Sequence, residues 1–372
     1  MGAVGFVARC DLRRRWRRVV VLTLIVGAVG AFTLATAAGA RRTSSSLSRF
    51  KVDSRSADIE LDGEASPAQL SQLSRVPGVA AIGTFRAYGI VLPAAPDFEN
   101  IGAPADASFG VTVDRARIVA GRAPNPDSVN EITIGEGLAN RLDLRAGSAL
   151  DVESYTPAQI AATLGGDPNA GAPAGPHLRL RVVGIDRRPL DLGERNASGG
   201  LLVLTPAFDR FYRGRIGVFG VGIRVRTDRG AADVPRVLAA SRRIFGDSLF
   251  SATGLATESQ GASDAIDVLA LALWIAAAVA ALAGLIAIGI VLSRETSFVS
   301  LDYQSLPELG CTRGQCIAVN APSALIIAGG GALVATLAAV GLSPWFPLGI
   351  ARQADPNVGI HADWTVLLLA GC

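Results

Sequence analysis

Few residues of this 372-residue chain are of the types that perform catalysis. The two histidines, His177 and His361, are far apart in sequence, and each lies in a proline- or glycine-rich stretch typical of a solvated loop. The sequence has no G-x-S-x-G turn for a serine nucleophile, no H-E-x-x-H metal motif and no paired-cysteine zinc spacing. Carboxylates are scattered, so an acid–base pair is neither supported nor excluded. We therefore expect no enzymatic activity in this chain.

Nucleotide chemistry is restricted by the presence of a single lysine, Lys51. A phosphate-binding loop of the form G-x-x-x-x-G-K-[ST] needs a lysine that follows glycine, and Phe50 precedes Lys51. The chain cannot hydrolyse ATP through such a loop, and we expect it to carry no cofactor. The net charge of +3 is too small to indicate a nucleic-acid partner.

The four cysteines are spread unevenly, at positions 10, 311, 316 and 372. None lies between Arg41 and Ser263, so that stretch is expected to fold without a disulfide. Cys311 and Cys316 have no neighbouring cysteine or histidine to complete a ligand set, and we expect no metal site.

Composition indicates a membrane protein, because 50% of the residues are hydrophobic and only 18% are charged. Three apolar segments, 19–40, 264–292 and 317–342, reach the ~20 residues with which a helix crosses a bilayer. The first could end in a signal-peptide cleavage site at Ala35–Ala38, but its 22 uncharged residues exceed the ~7–15 of a secretory core. We predict an uncleaved anchor. Six arginines precede it, which predicts a cytoplasmic N-terminus.

Glycines within the second and third segments indicate how these helices pack. Gly284 and Gly289 favour close helix contact, although a lipid-facing position is the alternative for either one. In the third segment we expect Pro322 to lie in the first helical turn. The run Gly329–Gly331 predicts either tight packing or a bend.

The region 41–263 has the composition of an α+β domain with a core of its own. Ser66 is expected to cap a short helix that stops at Pro77, and 79–92 reads as a strand. Residues 131–144 read as a strand followed by a helix. Further strands are predicted by the sequences ALDVESY, LRLRVVGI, GGLLVLT and GVGIRVRT, and an amphipathic helix by DVPRVLAASRRIF. The proline- and glycine-rich stretch 156–176 is predicted to be an exposed insertion loop.

A short motif, L-P-E-L-G-C-T-R-G-Q, lies directly before the third apolar segment. It resembles the loop L-R-A-L-G-A-T-R-R-Q that precedes a transmembrane helix in MacB/FtsX-type ABC transporter permeases. The matching positions are Leu306, Leu309, Gly310, Thr312, Arg313 and Gln315. The order of elements is also similar, with one helix, a large domain and then further helices. Within that domain, Glu131–Leu150 looks like the strand–helix–strand unit of the family.

The motif departs from the family pattern at three positions. Pro307 replaces a basic residue, Gly314 replaces the second arginine, and Asn320 stands where many relatives have a glutamate. These departures concern the strength of coupling rather than its location.

The resemblance implies an α-helical transmembrane protein with a large extracytoplasmic α+β domain inserted between its first two membrane helices. The implied segments are a cytoplasmic N-terminus (1–18), transmembrane helix 1 (19–40), the domain (41–263), helix 2 (264–292), a cytoplasmic coupling loop (293–316), helix 3 (317–342), an extracytoplasmic loop (343–363) and the start of helix 4 (364–372). The layout is that of a multi-pass plasma-membrane protein in contact with lipid. The chain is expected to continue into a second permease repeat or to form a dimer of permease units.

The implied function is that of an ABC transporter permease subunit working by mechanotransmission. A separate cytoplasmic ABC ATPase would bind ATP and magnesium and push the coupling loop, whose implied contact residues are Leu306, Glu308, Leu309, Gly310, Thr312, Arg313 and Gln315. The large size of the domain favours the MacB-like branch of the family, whose members act on peptides, lipids or lipoproteins. The alternative is a non-transporting receptor or regulator that recruits a cell-wall hydrolase.

Overall fold

The structure is a computed structural model that describes residues 2–167, 171–192, 200–257, 259–302, 313–357 and 359–366. Side chains are described within these ranges except at 2–15, 291–292, 294–302 and 313–322. The chain divides into two compact units. One unit comprises residues 1–46 and 265–372, and the other comprises Leu47–Asp264.

Three long helices dominate the first unit. They are α1 (Gly2–Ser44), α8 (Gln260–Asp302) and α9 (Arg313–Leu342). Three stretches are long and apolar enough to cross a membrane: Trp16–Ser44 in α1, Gln260–Ile290 in α8, and Ser323–Trp345, which begins in α9 and ends three residues beyond it. These helices extend beyond the apolar segments because polar residues continue the helix at its ends. The order predicted from the sequence, with one such helix before the α+β domain and two after it, is the order in the structure.

The stretch after α9 is also ordered. A short 3₁₀ turn, Ser343–Trp345, is followed by the helix α10 (Gly349–Ala354). Ser343 follows directly on the last residue of α9, Leu342, so the position of this stretch depends on the end of that helix.

The second unit is a mixed α+β domain built on a large sheet. Its strands are β1 (Ile59–Gly63), β2 (Val79–Tyr88), β3 (Ile90–Val91), β4 (Ile101–Pro104), β5 (Arg117–Gly121), β6 (Glu131–Gly135), β7 (Ala149–Ser154), β8 (Leu178–Arg187), β9 (Leu202–Val203), β10 (Val218–Thr227) and β11 (Leu249–Gly254). They are ordered β11-β1-β10-β2-β4-β9-β6-β8-β7-β3, and β5 pairs with β8. The pairs β4–β9 and β6–β8 are parallel, and the other pairs are antiparallel.

The helices of the domain are short. They are α2 (Ser46–Asp53), α3 (Pro67–Ser74), α4 (Glu136–Arg141), α5 (Pro157–Leu164), α6 (Pro206–Tyr212) and α7 (Val234–Phe245). The predicted cap at Ser66 is confirmed, because its side chain accepts a hydrogen bond from the Gln69 amide while the Gln69 side chain accepts one from the Ser66 amide. The predicted amphipathic helix is α7, which buries Val237 and Phe245 against the sheet.

Two main apolar cores hold the domain. One lies under β6, β7 and β8 and includes Ile132, Ile134, Leu180 and Phe208. The other lies where α3 and α7 cover the inner face of β1 and β10, with Leu61 and Ile223 fully buried. Burying such side chains stabilises a fold by about 1.5–3 kcal/mol each.

Two predictions for the domain are wrong. Residues 156–176 are not a continuous loop, because α5 lies within them and buries Ile160. Thr156 and Gln159 form a capping box ahead of Pro157, and this local hydrogen bonding starts a helix despite the nearby glycines. The strand predicted for the sequence GGLLVLT is only the two residues of β9, because Thr205 already caps α6.

Two predictions for the third membrane segment are also corrected. Pro322 is not in the first turn, because α9 begins at Arg313 and Pro322 lies in its interior. The glycine run does not interrupt the helix, which is continuous from Arg313 to Leu342. The contacts of Gly330 and Gly331 with α1 support tight packing, which was the other alternative.

Candidate functional site

The predicted coupling residues lie mostly outside the described part of the chain. Those outside it are Leu306, Glu308, Leu309, Gly310 and Thr312. Arg313 and Gln315 are in the first turn of α9, where only the backbone is described. The motif therefore continues directly into α9. A displacement of the motif would be passed on through the residues that α9 contacts.

α9 packs on α1 through glycines on both helices. A Cβ atom added at Gly331 would lie 2.7 Å from Val26 Cγ1, and one added at Gly330 would lie 2.9 Å from Thr23 Cγ2. In the opposite direction, a Cβ at Gly27 would lie 2.7 Å from Val334 Cγ1. Only glycine lets the two backbones approach this closely. The glycine run predicted as a packing site is therefore the contact between α1 and α9.

α8 contacts α1 at a single glycine of the two singled out in the sequence. A Cβ at Gly284 would overlap Val29, whereas nothing lies within 4 Å of the same position at Gly289. Along its membrane segment α8 exposes a series of large apolar side chains. They are Val268, Leu271, Trp274, Ile275, Val279, Leu282, Leu285, Ile286 and Ile290. Such a surface suits lipid contact.

The last turn of α1 carries polar contacts to the residues that follow α9. Arg42 Nε lies 2.7 Å from Asp355 Oδ2, and Arg42 Nη1 donates to the Ser343 carbonyl at 3.3 Å. The neighbouring Arg41 makes a more exposed ion pair with Asp363 at 3.3 Å. Both arginines thus connect the end of α1 to the stretch that follows α9.

In the domain, a polar cleft of about 380 Å³ opens over the face of β1, β10 and β11 that points away from the apolar core. Glu60 and Arg224 face each other across the β1–β10 ladder, and Arg224 Nη2 lies 2.6 Å from Glu60 Oε1. Arg224 also lies 3.7 Å from Asp114 Oδ2, with its guanidinium 5.6 Å from the centre of the Phe85 ring. The lining of the cleft suits a polar ligand rather than an apolar one.

A second buried charged group lies beside a separate small cavity, whose lining includes Arg188, Asp191 and Arg224. Arg188 donates to both carboxylate oxygens of Asp186, at 3.1 and 3.3 Å, and its backbone amide donates to Asp191 at 2.6 Å. Asp186 is fully buried. Within the described residues, Arg188 Nε and two Arg224 nitrogens are buried without a hydrogen-bond partner.

Asp209 forms the most connected ion-pair site of the domain. Its carboxylate accepts hydrogen bonds from Arg86 at 2.7 and 2.8 Å, from the Tyr88 hydroxyl at 2.9 Å and from Arg213. Burial raises the pKa of Asp209, but the hydrogen bonds from Arg213, Arg86 and Tyr88 outweigh it, so the pKa is below its usual range. Burial, followed by the Asp209 charge, raises the pKa of Tyr88. This group joins β2 to α6 and has a structural role.

No group of three or more His, Cys, Asp or Glu side chains among the described residues is arranged to hold a metal ion. His177 is exposed and lies 4.0 Å from Glu153, and His361 is exposed near the Gly359 carbonyl.

Sequence reasoning missed the Arg42 contacts and the Arg224 cleft. Arg42 and Asp355 are 313 positions apart, and no local pattern connects them. The only signal in the sequence was a pair of arginines at the end of an apolar segment, which also fits an ordinary boundary of a membrane helix.

Comparison with solved structures finds similarity to regions of bacterial proteins that lie outside the cytoplasm. One is the extracellular domain of the noncanonic ABC-type transporter YknZ from Gram-positive bacteria, with 12% identity, a TM-score of 0.29, and 51% of this chain and 92% of that one covered. Another is the periplasmic region of MacB from Actinobacillus actinomycetemcomitans, with 10% identity, a TM-score of 0.30, and 55% and 92% covered.

MacB is one of the two proteins that give their names to the family that the loop before α9 resembles, and YknZ is described as an ABC-type transporter. At this identity and TM-score the likeness carries no argument about function. No protein-family model matches the chain. No curated protein matches it either.

Proposed function

We propose that this chain is the permease subunit of an ABC transporter of the MacB/FtsX type. In this role it would transmit the motion of a separate cytoplasmic ATPase across the membrane to its α+β domain. The observation that carries the proposal is the L-P-E-L-G-C-T-R-G-Q motif, which leads directly into α9. α9 packs on α1, and α1 in turn precedes the domain in the chain.

The chemistry of the motif suits a contact with another protein. Arg313 carries a fixed charge with five hydrogen-bond donors and can pair with a carboxylate of the ATPase. Leu306 and Leu309 can fill an apolar groove of the same partner. ATP and magnesium would bind that partner, since this chain has no phosphate-binding loop.

The proposal includes an orientation in the plasma membrane. The arginines before the first span favour a cytoplasmic N-terminus, so the predicted extracytoplasmic domain, 41–263, would lie outside and the predicted coupling loop, 293–316, inside. The domain is compatible with an oxidising exterior because no cysteine occurs in it.

The substrate class is a finer part of the proposal. The size of the domain favours a MacB-like role in handling peptides, lipids or lipoproteins. The alternative function is that of a receptor or regulator that recruits a cell-wall hydrolase without transport. Loss of the ATPase contact supports the permease function, whereas an unchanged ATPase activity favours the receptor function.

The contact is tested by reversing the charge of Arg313 in the full-length chain. Arg313→Glu replaces a possible ion pair with a like-charge contact, so we expect the ATPase activity stimulated by the permease to fall about tenfold or more. The measurement uses the chain reconstituted with its ATPase, for which a Walker-type ATPase encoded beside this gene is the first candidate.

The matched control is Arg145→Glu in the domain. Arg145 is 84% exposed and lies 3.9 Å from Asp143, so its charge reversal should leave both folding and ATPase activity close to wild type. Equal ATPase activity in wild type and Arg313→Glu, with the complex demonstrably assembled, would contradict the proposed contact.

A further inference from the structure

The guanidinium of Arg42 donates five hydrogen bonds to residues that follow α9, between positions 343 and 359. Arg42 Nε donates to Asp355 Oδ2 at 2.7 Å. Nη1 donates to the Ser343 carbonyl and hydroxyl, both at 3.3 Å, and to the Gly359 carbonyl at 3.1 Å. Nη2 donates to the Asn357 carbonyl at 2.5 Å. A planar group held at so many points has one orientation, and it also fixes the backbone that accepts from it.

The ion pair at the centre of these contacts is shielded from solvent. The side chain of Asp355 is 2% exposed, and that of Arg42 is 11% exposed. The Asp355 carboxylate also accepts from the Asn357 amide at 3.3 Å. Removing one member of a buried pair leaves the other charge uncompensated, so this contact resists opening far more than a surface pair does.

A second contact holds the same stretch one turn earlier on α1. A Cβ atom added at Gly39 would lie 2.6 Å from Phe346 Cδ1, so the aromatic ring rests directly on the backbone of the helix. Gly39 and Arg42 are three residues apart and therefore lie on the same face of α1. The apolar and the charged contact together clamp the stretch 343–359 to that face.

The Arg42 contacts differ in kind from the glycine contacts between α1 and α9, which lie farther from the end of α1. The glycine contacts between α1 and α9 are van der Waals contacts, which depend on close approach and not on hydrogen-bond direction. The Arg42 contacts are directional, so a shift of the residues after α9 relative to the end of α1 would break them. Since Ser343 follows the last residue of α9, the clamp joins the end of α9 to the end of α1.

We propose that Arg42 is a positioning residue that locks the end of α1 to the stretch following α9, so that the two helices move as one body. This inference rests on the proposed function, because it concerns how a push at the loop before α9 reaches the domain. The push displaces α9, the lock carries α1 with it, and α1 passes the displacement to α2 through the single residue Ser45. Without the lock, less of the motion of α9 reaches the end of α1.

The test uses the full-length chain, with its four cysteines replaced by serine, in complex with its ATPase in lipid nanodiscs. The readout is the change in amide hydrogen exchange of the domain when ATP and vanadate are added. We expect Arg42→Ala to reduce this change at least about fivefold, which corresponds to the loss of a coupling free energy in the usual range. Asp355→Asn, which keeps the shape of the side chain, should reduce it in the same direction.

Rescue by a covalent bond separates a mechanical role from a merely structural one. Phe346 Cγ lies 2.8 Å from the Cβ position at Gly39. Cysteines at 39 and 346 would therefore have Cβ atoms no more than about 4.3 Å apart, within the range of a disulfide. In the Arg42→Ala background, the oxidised Gly39→Cys/Phe346→Cys pair should restore the ATP-dependent change, and reduction should abolish it again.

Arg41→Ala is the matched control, because Arg41 is adjacent but 42% exposed, with a single ion pair to Asp363. It should retain most of the response. An undiminished response in Arg42→Ala, or failure of the oxidised disulfide to restore it, would overturn the lock and leave the proposed function standing. Absence of any ATP-dependent change in the cysteine-free parent would instead contradict the proposed function, and the lock with it.

Discussion

Each of the two units of this chain is held together internally, and the kinds of contact inside them differ. The α+β domain has two apolar cores and buried carboxylates, such as Asp209, that accept several hydrogen bonds each. The helical unit is held by glycine contacts between α1 and α9 and by polar contacts of Arg42 and Arg41. The domain therefore depends on buried side chains and their hydrogen bonds, whereas the helices depend on the close approach of their backbones and on polar contacts at the end of α1.

The ends of the domain illustrate how its shape is maintained. Lys51, near its first residue, donates to the Ser259 hydroxyl near its last at 2.8 Å. Burial lowers the pKa of Lys51, partly offset by the charge of Asp58. The contact brings together the two points at which the chain enters and leaves the domain.

Removing the charge of Asp209 should have the largest effect on the stability of the domain. Asp209→Asn leaves Arg86 and Tyr88 without a charged acceptor, and we expect the free energy of unfolding to fall by about 2–4 kcal/mol. The measurement is the thermal or urea unfolding of the domain 47–264 expressed alone, which we expect to be cooperative in reducing buffer. Asp127→Asn is the control, because its ion pair with Arg210 is exposed and worth at most about 1 kcal/mol. A non-cooperative transition of the wild-type domain would mean that the helices supply part of its core.

The stability of the contact between α1 and α9 should depend on side-chain size at Gly331 but not at Gly329. Gly331→Leu forces a side chain into Val26, and overpacking of this kind costs about 1–3 kcal/mol. Gly329→Leu is matched in chemistry and location, but nothing lies within 4 Å of its Cβ position. We expect a lower thermal stability of the purified full-length chain for Gly331→Leu alone. Equal stability of the two variants would place the helix contact elsewhere.

A smaller effect on the stability of the domain is expected from pH. A hydrogen bond from Arg122 lowers the pKa of Glu131 to about 2, and one from Arg229 lowers the pKa of Asp233. Because these pKa values are lower in the folded state, each pair stabilises the fold above the ordinary carboxylate pKa and loses that contribution as the pH falls.

The melting temperature of the domain should therefore be nearly constant from about pH 7 to about pH 5 and fall below about pH 4. Glu131→Gln should reduce the slope of that fall. A melting temperature that stays constant down to about pH 3 would show that these carboxylates do not contribute to stability.

The elements that sequence reasoning predicted well are those defined by local patterns. The strand β8 alternates buried and exposed residues along L-R-L-R, and α3 begins at a capping box that can be read from Ser66 and Gln69. The three helices of the described residues that are long and apolar enough to cross a membrane follow from length and composition alone.

What was missed depends on contacts between distant parts of the chain. The strands β4 and β5 are only four and five residues long, and they are strands because neighbours in the sheet pair with them. Glu60 and Arg224 meet only because β1 lies beside β10. The helix α5 was hidden by the prolines and glycines around it, although its cap at Thr156 was present in the sequence.

The central claim is that the domain and the loop before α9 lie on opposite sides of one membrane. It is tested directly by labelling intact cells with a membrane-impermeant maleimide. A cysteine introduced at Ser71, which is exposed on α3, should react in intact cells, whereas the native Cys311 and Cys316 should react only after the membrane is permeabilised. Labelling of Cys311 or Cys316 in intact cells, with Ser71→Cys protected, would contradict the orientation and the mechanism built on it.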